Sequence, residues 1–168
     1  PASSEAGLRA VPGARGILTY FVTELRVGDR STPYSAVTAM EGDPVPADLA
    51  PDEIVINTWL AEDLAAKPGD RLALRYWVVG ALRRLEERTE AFRVRLIVPI
   101  EGAAADAGLM PSIPGLSDKK NCRDWEPGVP IDLDRIRDKD QSYWDRYRGT
   151  PKAFVTLATG QRLWNNRF

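Results

Sequence analysis

The stretch EIVINTWLAEDLAAKPGDRLALRYWVV, residues 53–79, has the most regular pattern in the chain and decides the predicted fold. Glu53 to Ile56 form a short apolar run, which is typical of a buried strand. Asn57 follows as a good N-cap residue. The next residues predict a helix over 58–66, with one apolar face through Leu60 and Leu64.

The second half of this stretch predicts the start of a sheet. Pro68 and Gly69 end the helix, and residues 71–79 then alternate between apolar and polar side chains, as a strand with one buried face does. Residues 90–100 alternate in the same way after a charged connection. We therefore expect two antiparallel strands with one solvent-exposed face.

Outside this stretch the same signals predict a hairpin and three further elements. The hairpin joins strands over 16–27 and 34–40 through a turn at Gly28. Prolines indicate a loop over 41–51. The remaining predicted elements are a helix over 138–148, a strand over 152–157 and a helix over 158–164.

The strand and helix at 53–66 have a weak echo at 152–164, which suggests two βα units around antiparallel strands. We predict an α+β domain with a mixed or antiparallel sheet and short helices on one sheet face. Its core is expected over 15–100 and 152–168, after a lead-in at 1–14. Residues 101–151 form a long, Pro-rich irregular insertion, and insertions of this length are often functional.

The composition excludes several kinds of site. The chain has 168 residues with 23 basic and 24 acidic side chains, so its net charge of −1 gives no electrostatic reason to bind nucleic acid. It has no histidine and one cysteine, Cys122, which excludes an intrachain disulfide and the usual zinc sites. A histidine-dependent catalytic triad would need a partner chain. The basic pairs at 83–84 and 119–120 have acidic neighbours, which favours a solvated surface.

The termini indicate part of a longer protein. The chain begins at Pro1 without a methionine or a signal peptide, and it ends inside a segment that reads as ordered. No apolar run approaches the roughly 18 residues of a membrane helix. We expect the chain to be cut from a larger protein.

Aromatic side chains alternate with charges in DQSYWDRYRGTPKAFVTL, residues 140–157. Tyr143, Trp144 and Tyr147, together with Trp125, are the candidate surface for a partner or substrate. The opposing interpretation follows from helical spacing, because Tyr143 and Tyr147 share one helix face. That face can pack onto the sheet and return the insertion to the core. We favour the packing role and keep binding at its rim as the alternative.

Acidic residues on the insertion have two interpretations as well. Asp132, Asp134, Asp138 and Asp140 supply oxygen ligands at short spacing, as calcium requires, but the pattern departs from that of an EF-hand. The interleaved basic residues favour helix capping and exposed ion pairs. Other acids adjoin tryptophans, as in a glycosidase dyad, but their spacing shows no convergence on one site.

Three stretches resemble one known family. DEIVINTWLAEDLAAKPGDRLALRY (52–76) and FRVRLIVPI (92–100) look like the strand–Asn–helix–Lys-x-Gly-Asp–strand segment, and the strand after it, in extracytoplasmic domains of MacB/FtsX-type ABC transporter permeases. The insertion, with PGLSD (114–118), CRDWEPG (122–128) and YWDRYRGTPKAFV (143–155), resembles a subgroup of bacterial FtsX-like permeases. The resemblance covers about 15–168.

The resemblance implies a non-catalytic, cofactor-free module. It implies the periplasmic or extracellular part of a permease in the inner or plasma membrane, with a MacB-like periplasmic core fold. The implied partners are a cytoplasmic ATPase subunit, a second permease copy and a substrate or adaptor outside the membrane. The alternative from another class is a secreted carbohydrate-binding or glycoside-acting domain that uses Trp125, Tyr143, Trp144 and Tyr147.

Overall fold

The computed structural model describes residues 16–80 and 84–164. The predicted lead-in at 1–14, Arg83 of the first basic pair and the last four residues lie outside this range. Six strands and three helices follow along the described chain, and four single 3₁₀ turns lie within the insertion. The strands are β1 Leu18–Val27, β2 Arg30–Met40, β3 Glu53–Asn57, β4 Arg71–Val79, β5 Leu85–Val98 and β6 Ala153–Thr156. The helices are α1 Thr58–Leu64, α2 Asp138–Tyr147 and α3 Leu157–Trp164.

The six strands form a closed barrel in the order β1-β2-β6-β3-β5-β4, with β4 pairing back onto β1. Two of the pairings, β2 with β6 and β3 with β5, are parallel, and the other four are antiparallel. Closure leaves no sheet edge unpaired among these strands, because each strand has a neighbour on both sides.

The predicted α+β fold, with two βα-type units and a MacB-like core, is therefore wrong. α1 does follow β3 and α3 does follow β6, but the six strands close into one mixed barrel and do not form an open sheet with two separate βα units. β6 inserts between β2 and β3, with Val37 opposite Ala153 and Val55 opposite Phe154. Pairing between strands about 100 residues apart closes the barrel, and local alternation contains no information about such pairing.

Three local predictions, the hairpin, the cap of the first helix and the antiparallel pair after it, are confirmed. β1 and β2 form an antiparallel hairpin through a turn in which Gly28 has a φ of 56°. The Asn57 side chain accepts a hydrogen bond from the Leu60 N–H at 2.8 Å and so caps α1. β4 and β5 are antiparallel, and their alternating burial leaves one face exposed.

The main hydrophobic core fills the barrel. All six strands contribute almost completely buried side chains to it, and in β2 to β6 these come from alternate positions, as is usual for small barrels. Leu60 and Leu64 of α1 join this core, and so do Leu163 and Trp164 of α3. Within the described residues, no helix combines the length and apolarity needed to span a membrane.

The insertion covers the outer face of the barrel with two smaller apolar clusters. One combines Val55 and Phe154 of the barrel with Ala104 and Leu109 of the insertion. The other places insertion side chains, including Trp125 and Trp144, against Tyr34 of β2. The 101–151 segment is therefore an ordered outer layer that turns an exposed sheet face into a second interior.

Candidate functional site

The four aromatic residues singled out in the sequence lie together where the insertion meets the barrel. Trp125, Tyr143 and Trp144 are buried, with 7%, 5% and 5% of their surface exposed, and Tyr147 is half-buried. Trp125 packs edge-on against Trp144 at 5.1 Å between ring centroids, and Tyr143 contacts Tyr147 at 4.9 Å. The first three rings therefore fill space between α2 and the barrel.

Tyr143 connects α2 to the deciding stretch of sequence. Its hydroxyl donates to the Thr150 carbonyl at 2.9 Å and accepts from the Asn57 Nδ2 at 3.1 Å. Asn57 thus caps α1 with its oxygen and holds the insertion with its nitrogen. Burial raises the pKa of the Tyr143 hydroxyl far above its usual value, so this group is a neutral structural donor.

A chamber of about 30 Å³ lies beneath these rings, between β2 and α2. Its walls are largely apolar, from Phe21 and Tyr34 on the barrel side to Leu116 and Ile136 on the insertion side. A cavity holds one water when about 10–15 Å³ is open to it, so this chamber accommodates two waters or one small polar group.

Lys152 lines the chamber and is its most unusual residue. It lies just before β6, where its backbone N–H donates to the Ala36 carbonyl at 3.0 Å, and only 4% of it is exposed. Its ammonium nitrogen lies 4.1 Å from the Trp59 ring centroid and 4.6 Å from that of Tyr143. The ammonium therefore makes cation–π contacts with these two rings. No carboxylate of the described residues forms an ion pair with it.

Burial lowers the pKa of Lys152 from 10.5 to about 8. Removing an ammonium from water penalises its charged form, and the distant carboxylates of Asp140 and Asp63 offset this only in part. Arg137 adds repulsion. A buried lysine with a shifted pKa in a cavity is a typical property of functional sites.

Two further polar atoms around the chamber lack partners. The Ser35 hydroxyl and the Trp125 Nε1 are buried, and neither forms a hydrogen bond to another described residue. By contrast, the Trp144 Nε1 donates to the Lys119 carbonyl at 3.1 Å. Unpaired buried polar groups are rare in folded proteins, and each one calls for a partner.

Backbone strain occurs in the same wall. Tyr34 has a φ of 36°, a region that residues with side chains rarely adopt. Its ring stacks on Phe21 at 5.9 Å, and its hydroxyl hydrogen-bonds to the backbone of Asp132 on the insertion. The tight insertion contacts hold this conformation, as is typical of strained residues near sites.

An open groove of about 250 Å³ adjoins the chamber. The two share Met110, Trp144, Arg148 and Gly149, so the groove leads from solvent toward the chamber. Arg148 stands at this shared boundary, and its guanidinium lies 5.4 Å from the Trp144 ring centroid. The approach to the chamber therefore combines apolar side chains with two serines, Ser112 and Ser117, and one cation.

A buried ionic cluster fastens the insertion next to the chamber. Arg137 donates to Asp63 of α1 and to Asp140 of α2, each at 2.7 Å. Thr32 donates to Asp63 at 2.6 Å, and Lys139 pairs with the other oxygen of Asp63. Burial acts to raise the pKa of Asp63, but these donors outweigh it and hold the pKa below its usual value. A second link joins Arg135 to Glu24 of β1 at 2.6 Å.

The other acidic candidates on the insertion act as caps and surface pairs. Asp132 accepts from the Asp134 N–H at 3.1 Å, and Asp138 pairs with Arg123 at 2.8 Å. Across residues 16–80 and 84–164, no group of three potential metal ligands converges. The capping interpretation of the Asp cluster is confirmed for these residues.

Sequence reasoning missed Lys152, Ser35 and Asp63. A lysine at the start of an apolar strand is normally an exposed edge residue, and a serine in a strand carries no signal of its own. Asp63 reads as a surface position of a short amphipathic helix. Only the folding of the insertion over the barrel buries all three side chains.

In comparisons with known proteins, no protein-family model and no curated protein matches the chain.

Proposed function

We propose that this chain is a non-catalytic extracytoplasmic domain of an ABC transporter permease. In this role it couples ATP hydrolysis by a cytoplasmic subunit to the handling of a substrate or partner outside the membrane. The proposal has two supports: the resemblance of residues 52–76 and of the insertion to MacB/FtsX-type permeases, and one geometric relationship between the two ends of the described chain. The proposal concerns the position of this domain relative to the membrane and makes no claim about the type of fold.

The geometric support is that the first strand and the last helix meet at one place. Tyr20 of β1 stacks on Trp164 of α3, with 5.2 Å between ring centroids and 9° between ring planes. Gly16 approaches the Leu157 side chain so closely that a Cβ there would touch it at 3.2 Å. A domain carried between two membrane-spanning segments needs its entry and exit side by side, and this packing provides that arrangement.

The closed barrel also suits a domain that transmits movement. Each of its strands is paired on both sides, and the insertion is fixed to it by Asn57, Asp63 and Glu24. Such a body moves as a unit when its ends are displaced, since packed interiors are not continuously deformable. The insertion is then the surface that meets the substrate, adaptor or second permease copy.

The carbohydrate alternative receives no comparable support. Stacking on a sugar ring requires an exposed aromatic face, and Trp125, Tyr143 and Trp144 are buried against the barrel. Tyr147, which is half-buried, is the one candidate ring with substantial exposure.

The membrane setting can be tested by labelling in cells that express the full gene product containing this chain. Glu62 is an exposed residue of α1, so Glu62→Cys in a Cys122→Ala background offers one accessible thiol in this domain. We expect a membrane-impermeant maleimide to label it in intact spheroplasts as fully as after lysis. The Cys122→Ala background alone serves as the control.

Labelling that occurs only after lysis would place the domain on the cytoplasmic side and refute the proposal. The partner can be tested in the same cells. We expect an ATPase subunit to copurify with the full gene product in mild detergent, and its absence from a stable membrane complex would count against the coupling role.

A further inference from the structure

The chamber presents more hydrogen-bond donors than acceptors. The Lys152 ammonium has three donors, the Trp125 Nε1 is a donor only, and the Ser35 hydroxyl can donate as well as accept. Neither the Trp125 Nε1 nor the Ser35 hydroxyl has a hydrogen-bond partner among the described residues. A group that satisfies this set must bring acceptor oxygens.

The acceptors already present in the chamber wall are committed elsewhere. Both Asp140 oxygens accept from Arg137, at 2.7 Å each, and the Tyr143 hydroxyl is bonded to Asn57 and Thr150. The carboxylate of Asp140 is therefore already neutralised by Arg137, whereas Lys152 and Arg148, which also line the chamber, have no ion-pair partner among the described residues. Charge complementarity points to an anion, since a buried ammonium without a counter-charge is costly.

Size and surroundings narrow the anion to a carboxylate. About 30 Å³ is too little for a hydrated phosphate ester but matches a group of two oxygens and one carbon. The adjoining groove of about 250 Å³ is lined by Met110 and Trp144, which suit an apolar chain. This volume is below the range of roughly 300–1,000 Å³ typical of drug-sized sites, so the ligand is small.

We propose that this chamber and groove bind a small monocarboxylate, with its carboxylate held by Lys152, Ser35 and the Trp125 Nε1 and its apolar chain lying between Met110 and Trp144. Arg148 stands at the mouth of the groove and attracts the anion toward it. The site does not depend on the proposed function, because it rests on the chamber alone.

Binding should depend on pH through Lys152, whose pKa is lowered to about 8 in the folded chain. The charged and titratable groups that face it are Asp140 and Arg137 at α2, Asp63 on α1 and Cys122 on the insertion. Arg137, whose pKa is raised, and Asp63, whose pKa is lowered, keep their charges between pH 6 and 9. The Cys122 thiol and the hydroxyl of Tyr143, whose ring also faces Lys152, stay neutral because burial raises their pKa values. The affinity should therefore fall as pH rises through about 8, when Lys152 loses its proton.

Titration calorimetry of the full 168-residue chain with hexanoate, and with hexanamide as the uncharged isostere, tests the site. We expect hexanoate to bind and hexanamide to bind at least about tenfold more weakly, because it offers no charge to Lys152. A second titration uses acetyl-leucine, which carries the carboxylate of a peptide C-terminus. Comparing its affinity with that of hexanoate distinguishes a peptide terminus from an aliphatic acid as the ligand. Binding of either acid more tightly than hexanamide supports the site, and the acid that binds more tightly of the two indicates the class of the natural ligand.

Single substitutions show whether hexanoate binds in the chamber or is attracted by the positive charge of the protein in general. Lys152→Met should abolish hexanoate binding, and Ser35→Ala should weaken it severalfold. Lys67→Met, which removes an exposed lysine elsewhere, should leave the affinity unchanged. Circular dichroism of each variant confirms that it is folded. If Lys152→Met does not fold, Ser35→Ala and the pH dependence still decide the question.

Three results would overturn the proposal: equal affinity for hexanoate and hexanamide, an unchanged affinity in folded Lys152→Met, or no binding of either acid at millimolar concentration. The last result would assign the chamber to buried water. None of them bears on the membrane setting, which the labelling experiment decides separately.

Discussion

The ammonium nitrogen of Lys152 lies 4.1 Å from the centroid of the Trp59 indole ring, inside the junction between barrel and insertion. One residue comes from the start of β6 and the other from α1, so they meet only because the barrel closes. Their contact replaces the water that an exposed lysine would have, and it offsets part of the cost of burying a charge.

Stability should rise with pH because of this lysine. The pKa of Lys152 is about 8 in the folded chain and 10.5 when it is unperturbed. Below pH 8 both states are protonated and the burial penalty is fully present, whereas above 10.5 it is lost. The free energy of unfolding should therefore increase between these limits by on the order of 3 kcal/mol relative to Lys152→Met.

Urea denaturation of both proteins at pH 7 and pH 10.5 measures this difference, and the comparison cancels other groups that titrate. Parallel pH profiles for the two proteins would mean that the Lys152 ammonium is solvated in the folded state.

The buried pairing of Arg137 with Asp63 should be a main fastening of the insertion. Arg137→Met leaves two carboxylates short of their donors, and breaking a buried pair costs about 3–5 kcal/mol. Arg123→Met is the matched control, because Arg123 pairs with Asp138, whose side chain is 96% exposed. That exposed pair should contribute less than about 1 kcal/mol.

Acid should reduce the effect of Arg137→Met on the unfolding free energy. The pKa of Asp63 is held below 3.8 in the folded chain, so this stabilisation is present above pH 3.8 and is lost as the pH falls through the lower folded value. Equal destabilisation by the two arginine variants at pH 7 would show that the Asp63 cluster is solvated.

Cys122 should be unreactive until the insertion opens. It is completely buried, and burial raises the pKa of its thiol to about 12. The rise of the pKa from 9.0 to about 12 leaves about 1,000-fold less thiolate than in the unfolded chain. We expect very slow reaction with a disulfide reagent at pH 8 in the folded chain, and faster reaction in Arg137→Met. Rapid labelling of the folded wild type would contradict the packing of the insertion.

Gly160 should be required where α3 packs on the barrel. A Cβ at this position would collide with the Ala39 Cβ of β2, closer than real Cβ atoms approach. Gly160→Ala should destabilise the chain by about 1–3 kcal/mol despite the better helix propensity of alanine. Gln161→Ala, at the next and exposed position, should change stability by less than about 0.5 kcal/mol. Thermal unfolding of both variants gives the comparison, and a stable Gly160→Ala would show that α3 moves freely.

The local elements could be predicted from the amino-acid sequence, because their causes are local. Alternation of side chains along 71–79 specified a strand with one buried face, and Asn57 specified where α1 begins. These features depend on the backbone and side-chain chemistry of a few neighbouring residues. The helical spacing of Tyr143 and Tyr147 likewise indicated a packing face, and Trp144 beside them is as deeply buried as Tyr143.

The tertiary structure alone decided how the strands close and what they enclose. Seen along the chain, β3–α1 and β6–α3 are similar units, which led to the wrong α+β prediction. In space β6 lies between β2 and β3, and this pairing of distant segments forms the barrel. The chamber has the same origin: Ser35, Trp125 and Lys152 are far apart in sequence and meet because burying the outer face of the barrel under the insertion removes that surface from water.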